Sequence, residues 1–370
     1  MFNGNFKCRV TLLGALIYLL IFTSGCLFKD DNETGTAARK YDASARAAID
    51  NIIDYGMQKY SIKGALVAVW DEGYETLLIS KGKSDIASDT NVSITDSFRI
   101  ASNTKMFTAM ALLMLADQKK IDLDDKVSKY LPDVPHADSI TIRQLANHTS
   151  GYHNFNDVAS FGMAVMVNPI KKWTPMELIN IVKDLPLDFT PGEKFSYSNT
   201  GYVILGLIVE KASSMSWENF ITEKILRPLM MNQTYCATDP SMAGGHMNGY
   251  TVDGTSAVEL AVDPSVAWSA GSIVSTISDM KKWLDALRQG TLISSAMQAE
   301  QRKWIAMEMG HYGFGVAMIM SKFIGHTGGF AGFNSFMFES LDGKKCLMVV
   351  HNVETGASET ANNLYKYLGF

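Results

Sequence analysis

The sequence predicts a mixed α/β (α+β) fold in which one antiparallel sheet is built from both ends of the chain. Three observations predict it: a strand hairpin pattern occurs near each end, a helix pattern flanks each hairpin, and the middle of the chain is largely helical. Because a sheet must bury its apolar face against other elements, we expect the two terminal helices to cover it. The helical middle, at about residues 120–255, then forms an inserted lobe of the domain at residues 44–370.

The first predicted elements are a helix and a hairpin. The helix begins after Ser44, which we expect to be its N-cap, and one apolar stripe runs along it. This stripe consists of Ile49, Ile52, Ile53 and Met57. Residues 65–70 are typical of a buried strand, and residues 74–79 return beside it. Residues 98–100 then lead through Ser102 into a strongly apolar helix.

The rest of the chain alternates in the same way. Residues 123–253 show helix and loop patterns with few strands, and residues 203–212 are the clearest helix among them. A second hairpin is predicted at residues 332–338 and 346–350. Residues 359–368 close the chain as a helix.

Composition and charge exclude several classes of protein. Of the 370 residues, 47% are hydrophobic and 19% are charged, so the chain can bury a large core and is not intrinsically disordered. The formal net charge of −5 argues against a nucleic-acid partner, which would favour a basic surface. A single stretch approaches the length of a membrane span, so the chain is not a polytopic membrane protein.

The N-terminal segment is typical of a secretory signal. Lys7 and Arg9 precede an apolar run at residues 10–22, and small residues follow directly before Cys26. A small residue followed by Cys resembles the bacterial lipobox, in which the cysteine is lipidated after cleavage. Residues 1–25 are therefore predicted to be removed as a signal peptide.

Cys26 would then carry the lipid, and residues 26–43 would form a polar, flexible tether. This predicts a lipoprotein of the cell envelope, attached to a membrane and facing the periplasm or the surface. The alternative is an ordinary signal peptide, or an uncleaved anchor, with Cys26 incidental. Cys236 and Cys346 remain, and they could form a disulfide or stay as two buried free thiols.

A Ser-x-x-Lys pattern places a hydroxyl and an amine one helical turn apart, where the amine can take the serine proton if burial lowers its pKa. The chain contains three such pairs: Ser80/Lys83, Ser102/Lys105 and Ser278/Lys281. The first follows a strand, where alternation separates the side chains, and in the third the serine is expected to cap a helix. The second stands at a loop-to-helix junction, and its helix is apolar enough to bury Lys105. The alternative is a structural role, in which Ser102 only caps the helix and Lys105 is solvated.

Two further motifs could contribute to a site. Tyr197-Ser198-Asn199 lies just before a helix, where a phenol can relay protons and an amide can orient a carbonyl. Tyr152-His153-Asn154 has the same spacing but reads as a structural loop. His326-Thr327-Gly328-Gly329 precedes the last hairpin, and its glycines allow close backbone approach. The histidines show no zinc-binding pattern, so we expect neither a metal nor a cofactor.

These three motifs, in this order, resemble the serine beta-lactamase and penicillin-binding protein superfamily. The Tyr197-x-Asn199 form resembles its class C-like branch, which also includes D,D-carboxypeptidases, D-aminopeptidases and esterases. The resemblance extends from about residue 45 to residue 370 and implies the beta-lactamase/transpeptidase-like fold. His326-Thr327-Gly328 resembles the His-Thr-Gly form frequent in D,D-peptidases of the family.

The resemblance implies a two-step acyl transfer. Ser102 would be the nucleophile, and Lys105 and Tyr197 would share the proton transfers, with the identity of the base left open. Asn199, His326, Thr327 and Gly328 would bind substrate, His326 by polarising Tyr197 or by meeting a carboxylate. The N–H groups of Ser102 and Gly329 would form the oxyanion hole.

The implied function is a cell-envelope serine hydrolase, most simply a D-Ala-D-Ala carboxypeptidase-like enzyme or a related D-amino-acid peptidase or esterase. Its partners would be a small peptide, amide or ester, with beta-lactams as inhibitors or slow substrates. The alternatives are a beta-lactamase proper, or a catalytically silent lipoprotein that senses peptidoglycan fragments or beta-lactams. One departure limits the carboxypeptidase reading: no Lys or Arg occurs between Lys303 and Lys322, where a cation for a terminal carboxylate is often found.

Overall fold

The computed structural model describes residues 38–253 and 256–370. The predicted signal peptide, the lipidation site at Cys26 and most of the tether lie outside the described residues and stay predictions. None of the helices in this described part is long and apolar enough to cross a membrane.

The main sheet joins the two ends of the chain, as the sequence predicted. Within residues 38–253 and 256–370 it has nine strands, in the order β3-β2-β1-β14-β13-β12-β11-β10-β9, and every neighbouring pair is antiparallel. These strands are β1 (Gly64–Asp71), β2 (Leu77–Asp85), β3 (Thr90–Asn91), β9 (Ile305–Met307), β10 (Gly310–Tyr312), β11 (Ala317–Ile319), β12 (Phe323–Phe330), β13 (Phe333–Ser340) and β14 (Lys345–His351). The remaining strands are β4 (Phe98–Arg99), β5 (Tyr235–Cys236), β6 (Tyr250–Asp253), β7 (Ser256–Glu259) and β8 (Ile273–Ser275).

Helices cover both faces of this sheet. The helices of the described residues are α1 (Ala43–Lys59), α2 (Thr104–Asp117), α3 (Ile142–Ala146), α4 (Ala159–Val167), α5 (Pro175–Asn180), α6 (Asn199–Ser213), α7 (Trp217–Ile221), α8 (Ile277–Gln289), α9 (Ser295–Gln301) and α10 (Ala357–Leu368). Alternation along β1 sends Leu66 and Ala68 into a core shared with α2, α6 and α8. Val67 and Val69 point to the other face, where α1 and α10 cover the sheet. The predicted mixed fold, with the terminal helices on the sheet, is therefore confirmed.

Two helix caps differ from the prediction. The side chain of Asp42, rather than Ser44, caps α1 by accepting a hydrogen bond from the N–H of Ala45. Thr276, rather than Ser278, caps α8. In both cases the sequence offers another capping residue two positions earlier, and the helix uses that one.

A second, small sheet positions the segment that carries Ser102. Strand β4 pairs with β8, and β8 pairs with β5, so the chain enters the Ser102 turn from a buried sheet. Phe98 and Arg99 on β4 are both buried. The start of α2 is therefore held in place by β8 and by the main sheet. The two remaining cysteines are free: Cys236 is half-buried on β5, and Cys346 is buried on β14.

Candidate active site

Ser102 lies in a strained turn at the start of α2. Residues Ala101–Asn103 form one turn of 3-10 helix, and Ala101 has a φ of 50°, in the left-handed region that disfavours a residue with a Cβ. The buried side-chain amide of Asn103 donates to the carbonyl of Ile100 at 2.8 Å and to Ser335 Oγ of β13 at 3.0 Å. These bonds tie the turn to the main sheet and hold the Ser102 hydroxyl at the surface of the cleft.

Lys105 is fully buried one turn further along α2, with 0% of its surface exposed. Its Nζ is 3.1 Å from Ser102 Oγ and donates to the carbonyl of Ala270 at 2.8 Å. Burial, with no carboxylate to oppose it, lowers the pKa of Lys105 well below its usual value. This shift is toward the neutral amine, whose lone pair can take the serine proton.

The other two Ser-x-x-Lys pairs are used differently. Lys83 forms an ion pair with Asp89, at 2.8 Å between Nζ and a carboxylate oxygen, on the exposed end of β2. Lys281 is 2.7 Å from the carboxylate of Asp285 on its own helix. Both amines are thus paired with a carboxylate, unlike Lys105.

Tyr197 lies across the cleft from Ser102. Its ring centroid is 4.9 Å from Lys105 Nζ, and the phenol hydrogen-bonds to Ser102. Burial raises the pKa of Tyr197, and the hydrogen bond with Ser102 offsets this only in part. The phenol is therefore protonated at neutral pH. It can give its proton to one group and then be reprotonated by another. Ser102, Lys105 and Tyr197 are brought together from two elements far apart in sequence.

Asn199 is the first residue of α6. Its backbone N–H donates to Oδ1 of Asn154 at 3.0 Å, so the side chain of Asn154 satisfies one of the first backbone N–H groups of this helix. The side chain of Asn199 is half-buried, and Asn199 stands two residues after Tyr197 in the sequence. In the other motif of the same spacing, the Tyr152 hydroxyl donates to the carbonyl of Pro135, which fits the structural loop predicted for it.

His148 is part of the site, although the sequence assigned it no role. Its ring is buried and lies 4.3 Å from the ring of Tyr197, between centroids. Its Nδ1 accepts a hydrogen bond from the N–H of Ser198 at 3.2 Å, which places the ring proton on Nε2. Burial is the main cause that lowers the pKa of His148 well below its usual value. His148 is therefore a neutral support for Tyr197.

His326 is also neutral, and both of its ring nitrogens are engaged. Nδ1 donates to the carbonyl of Thr327 at 2.5 Å, and Nε2 accepts from the hydroxyl of Tyr312 at 2.9 Å. Burial is the main cause that lowers the pKa of His326 to about 4. The ring centroids of His326 and Tyr197 are 6.3 Å apart, and the roles expected of His326 toward Tyr197 or a substrate carboxylate stay predictions. Tyr312 was not singled out from the sequence.

Strand β12 offers a free edge next to the nucleophile. Strand β11 pairs only with residues Phe323 to Gly325 of β12, whereas β13 pairs with its whole length. Among the described residues, the far half of β12 is thus open on one side, and Thr327 and Gly329 on it are exposed. An extended substrate can add to such an edge, and a free N–H of Gly329 can bind an oxyanion together with that of Ser102.

Gly328 lets this strand lie against the Ser102 turn. A Cβ at this position would be 2.5 Å from the carbonyl oxygen of Ile100 and 2.7 Å from Ser335 Oγ. A Cβ at Gly329 would come no closer than 3.6 Å to a neighbouring side chain. The contact between β12 and the nucleophile turn therefore needs a glycine at residue 328 and does not need one at residue 329.

No cluster of three or more potential metal ligands occurs among residues 38–253 and 256–370. The groups that surround Ser102 are an amine, phenols, imidazoles and backbone amides. This set suits proton transfer and oxyanion binding.

Comparison with known proteins places the chain in a family. The sequence profile of the Beta-lactamase family matches residues 49–368. Penicillin-binding protein 4* of Bacillus subtilis is 29% identical over 325 residues, which cover 80% of this chain and 69% of that protein.

Two solved structures resemble the fold closely. The D-stereospecific amidohydrolase from Streptomyces sp. superposes with a TM-score of 0.79 and 27% identity, over 88% of this chain and 99% of that one. The D-amino acid amidase from Ochrobactrum anthropi SV3, in complex with L-phenylalanine amide, gives a TM-score of 0.77 and 26% identity, over 88% of this chain and 97% of the other. With its fold and the match along most of its length, the chain belongs to the beta-lactamase family and is a serine hydrolase of the beta-lactamase and penicillin-binding protein type.

Proposed function

We propose that the protein hydrolyses amide or ester bonds of small D-amino-acid substrates through an acyl-enzyme on Ser102. The observation that carries this proposal is the distance of 3.1 Å between Ser102 Oγ and a completely buried lysine that no acid compensates. A surface serine and a charged lysine would do no such chemistry. The preference for D-amino acids is supported by the two amidohydrolases that this chain resembles.

The first half-reaction forms the acyl-enzyme. Ser102 Oγ attacks the substrate carbonyl carbon, and its proton passes to the neutral Nζ of Lys105. The oxygen of the tetrahedral intermediate lies against the N–H groups of Ser102 and Gly329. The bond to the leaving nitrogen or oxygen then breaks, and that atom takes a proton from the Tyr197 phenol, which Lys105 reprotonates.

The second half-reaction reverses these transfers with water. Water attacks the carbonyl carbon of the acyl-serine, and its proton passes to the amine of Lys105. The ester bond to Ser102 breaks, the serine oxygen regains the proton, and the acid product leaves. We assign the base to Lys105 rather than Tyr197, because burial lowers the pKa of the amine and raises that of the phenol.

Active-site labelling tests this proposal. The protein is incubated with a fluorescent fluorophosphonate, digested, and the labelled peptide is sequenced by mass spectrometry. We expect the label on Ser102, no label in Ser102→Ala, and normal labelling in Ser80→Ala and Ser278→Ala. A label on Ser80 or Ser278 would contradict the assignment. A panel of D- and L-amino-acid amides and esters then measures stereospecificity as the ratio of kcat/KM values.

We further propose that the enzyme works at the cell envelope, held by a lipid on Cys26. The support is the charged and apolar leader at residues 1–25 and the small residues before the cysteine. This placement also fits a substrate that contains D-amino acids, which occur in the bacterial cell wall.

A further inference from the structure

We infer that the part of the substrate that the enzyme releases is apolar and carries no free carboxylate, so that the enzyme is an amidase or esterase rather than a carboxypeptidase. The inference rests on the proposed function and narrows its substrate class. It is drawn from a cavity that continues from the site along β12.

This cavity has a volume of about 510 Å³ and lies between β9–β11, the outer half of β12 and helix α10. Tyr197, His326 and Thr327 form its end nearest the nucleophile. Its walls are mainly apolar: Met307, Met309, Ile319, Met320, Phe336 and Phe338 contribute to them. A cavity of this size accommodates a side chain as large as a leucine or phenylalanine with its capped terminus. Flexible methionines adapt to several such shapes.

The cavity lies on the leaving-group side of the scissile bond. Tyr197 lines it, whereas Ser102 and Lys105 do not. In acyl transfer, the acid that protonates the leaving atom stands next to that atom. The group that departs toward Tyr197 therefore occupies the cavity, and the acyl part remains on the other side of Ser102.

The charges of the cavity exclude a carboxylate. Among the described residues that line it there is no Lys or Arg, and Glu308 is the one acidic residue. His326 is neutral, since burial lowers its pKa to about 4, and both of its nitrogens already have partners. The polar residues on the α10 side are the uncharged Ser358 and Asn362.

Four lysines stand within four residues of a lining residue in the sequence, and none of them lines the cavity: Lys194, Lys303, Lys322 and Lys366. The Nζ of Lys322 lies 5.4 Å from the ring centroid of Phe323. A carboxylate that entered the cavity would lose its hydration, find no cation and be repelled by Glu308. An amide or an ester alkyl group would lose little hydration free energy on entering the same cavity.

Matched substrates test the inference. N-acetyl-D-Ala-D-Ala and N-acetyl-D-Ala-D-alaninamide share one acyl group and differ only in the free carboxylate, and N-acetyl-D-Ala-D-leucinamide adds apolar bulk. We expect kcat/KM to be at least tenfold higher for the alaninamide than for the free acid, and higher again for the leucinamide. Equal or faster hydrolysis of the free acid would overturn the inference while leaving the proposed function intact. Hydrolysis of none of these substrates, or the same rates in Ser102→Ala, would overturn both.

A charge placed in the cavity provides the second test. Asn362→Lys adds a cation to the exposed face of α10 that borders the cavity, and Tyr367→Lys adds the same charge to the same helix away from it. Asn362→Lys should raise kcat/KM for the free acid roughly tenfold, equivalent to about 1.4 kcal/mol, and Tyr367→Lys should not. No gain from Asn362→Lys, or the same gain from both variants, would overturn the inference, because the leaving group would then not lie in this cavity.

Discussion

Acidification should destabilise the protein through His326, and the magnitude follows from its environment. In the unfolded chain an imidazole has a pKa of about 6.5, whereas burial lowers the pKa of His326 to about 4 in the folded protein. Between these values the unfolded state binds a proton that the folded state does not. The stability is therefore fully present above pH 6.5 and is lost as the pH falls toward 4.

From pH 7 to pH 4.5 this single residue should remove about 2.5 kcal/mol from the free energy of unfolding, since each unit of pKa difference is worth about 1.4 kcal/mol. The variant His326→Gln removes the titration. Its side-chain oxygen can still accept from the Tyr312 hydroxyl, and its amide can donate to the carbonyl of Thr327. We expect the variant to lose about 2.5 kcal/mol less than the wild type over this range.

The assay is urea unfolding of both proteins at pH 7 and pH 4.5, followed by circular dichroism. His351→Gln is the matched comparison, because burial also lowers the pKa of His351 to about 4, and this residue lies on β14 away from the nucleophile. Both variants should reduce the acid loss by similar amounts. If the wild type and His326→Gln lost the same free energy of unfolding between pH 7 and pH 4.5, this would refute the conclusion that His326 is a buried, neutral imidazole.

The remaining predictions concern the nucleophile, the strand beside it, the anchor and beta-lactams. Lys105→Ala should slow acylation by a fluorophosphonate by roughly 10² to 10⁴, whereas Lys83→Ala should react at the wild-type rate. Equal rates for the wild type and both variants would contradict Lys105 as the base. Gly328→Ala should lower the free energy of unfolding by about 1–3 kcal/mol through overpacking, and Gly329→Ala by clearly less, as thermal unfolding would measure. Cys26→Ser should release the protein from the membrane fraction, and unchanged fractionation would exclude lipid anchoring there. Nitrocefin should be hydrolysed slowly, because the site offers no permanent cation for its carboxylate; a kcat near ~10² s⁻¹ would make the protein a beta-lactamase.

The sequence predicted the fold where long elements carry strong periodicity. Strand β1 alternates between two cores, and its pairing with β14 follows from the two apolar hairpins at the chain ends. Strands β9 to β11 were not predicted, because three residues are too few to show alternation. They exist because each can pair with the next and finally with β12. Their importance is functional, since they form one wall of the cavity.

The candidate site was predictable in part for the same reason. Ser102 and Lys105 are one helical turn apart, so their proximity is a local property of the helix. His148 joins the site through its contact with Tyr197, a residue from another loop, and Tyr312 through a hydrogen bond to β12. A single histidine in a loop or a tyrosine in a short strand has no periodic signal. Only tertiary packing reveals which partner it meets.

Burial, rather than charge pairing, sets the protonation states of this site. Lys105 has no acidic partner, and the imidazoles and phenols around it are all shifted toward their neutral forms by desolvation. Two neutral histidines next to the amine add dipoles without adding charge, so the amine does not need to compete with a neighbouring cation. Under the proposed mechanism, any change that admits water near Lys105 should raise its pKa and weaken it as a base at neutral pH. Gly328 lies against the carbonyl of Ile100 in the nucleophile turn, so a larger residue there would displace the turn, which ties the close packing of β12 to the position of Ser102.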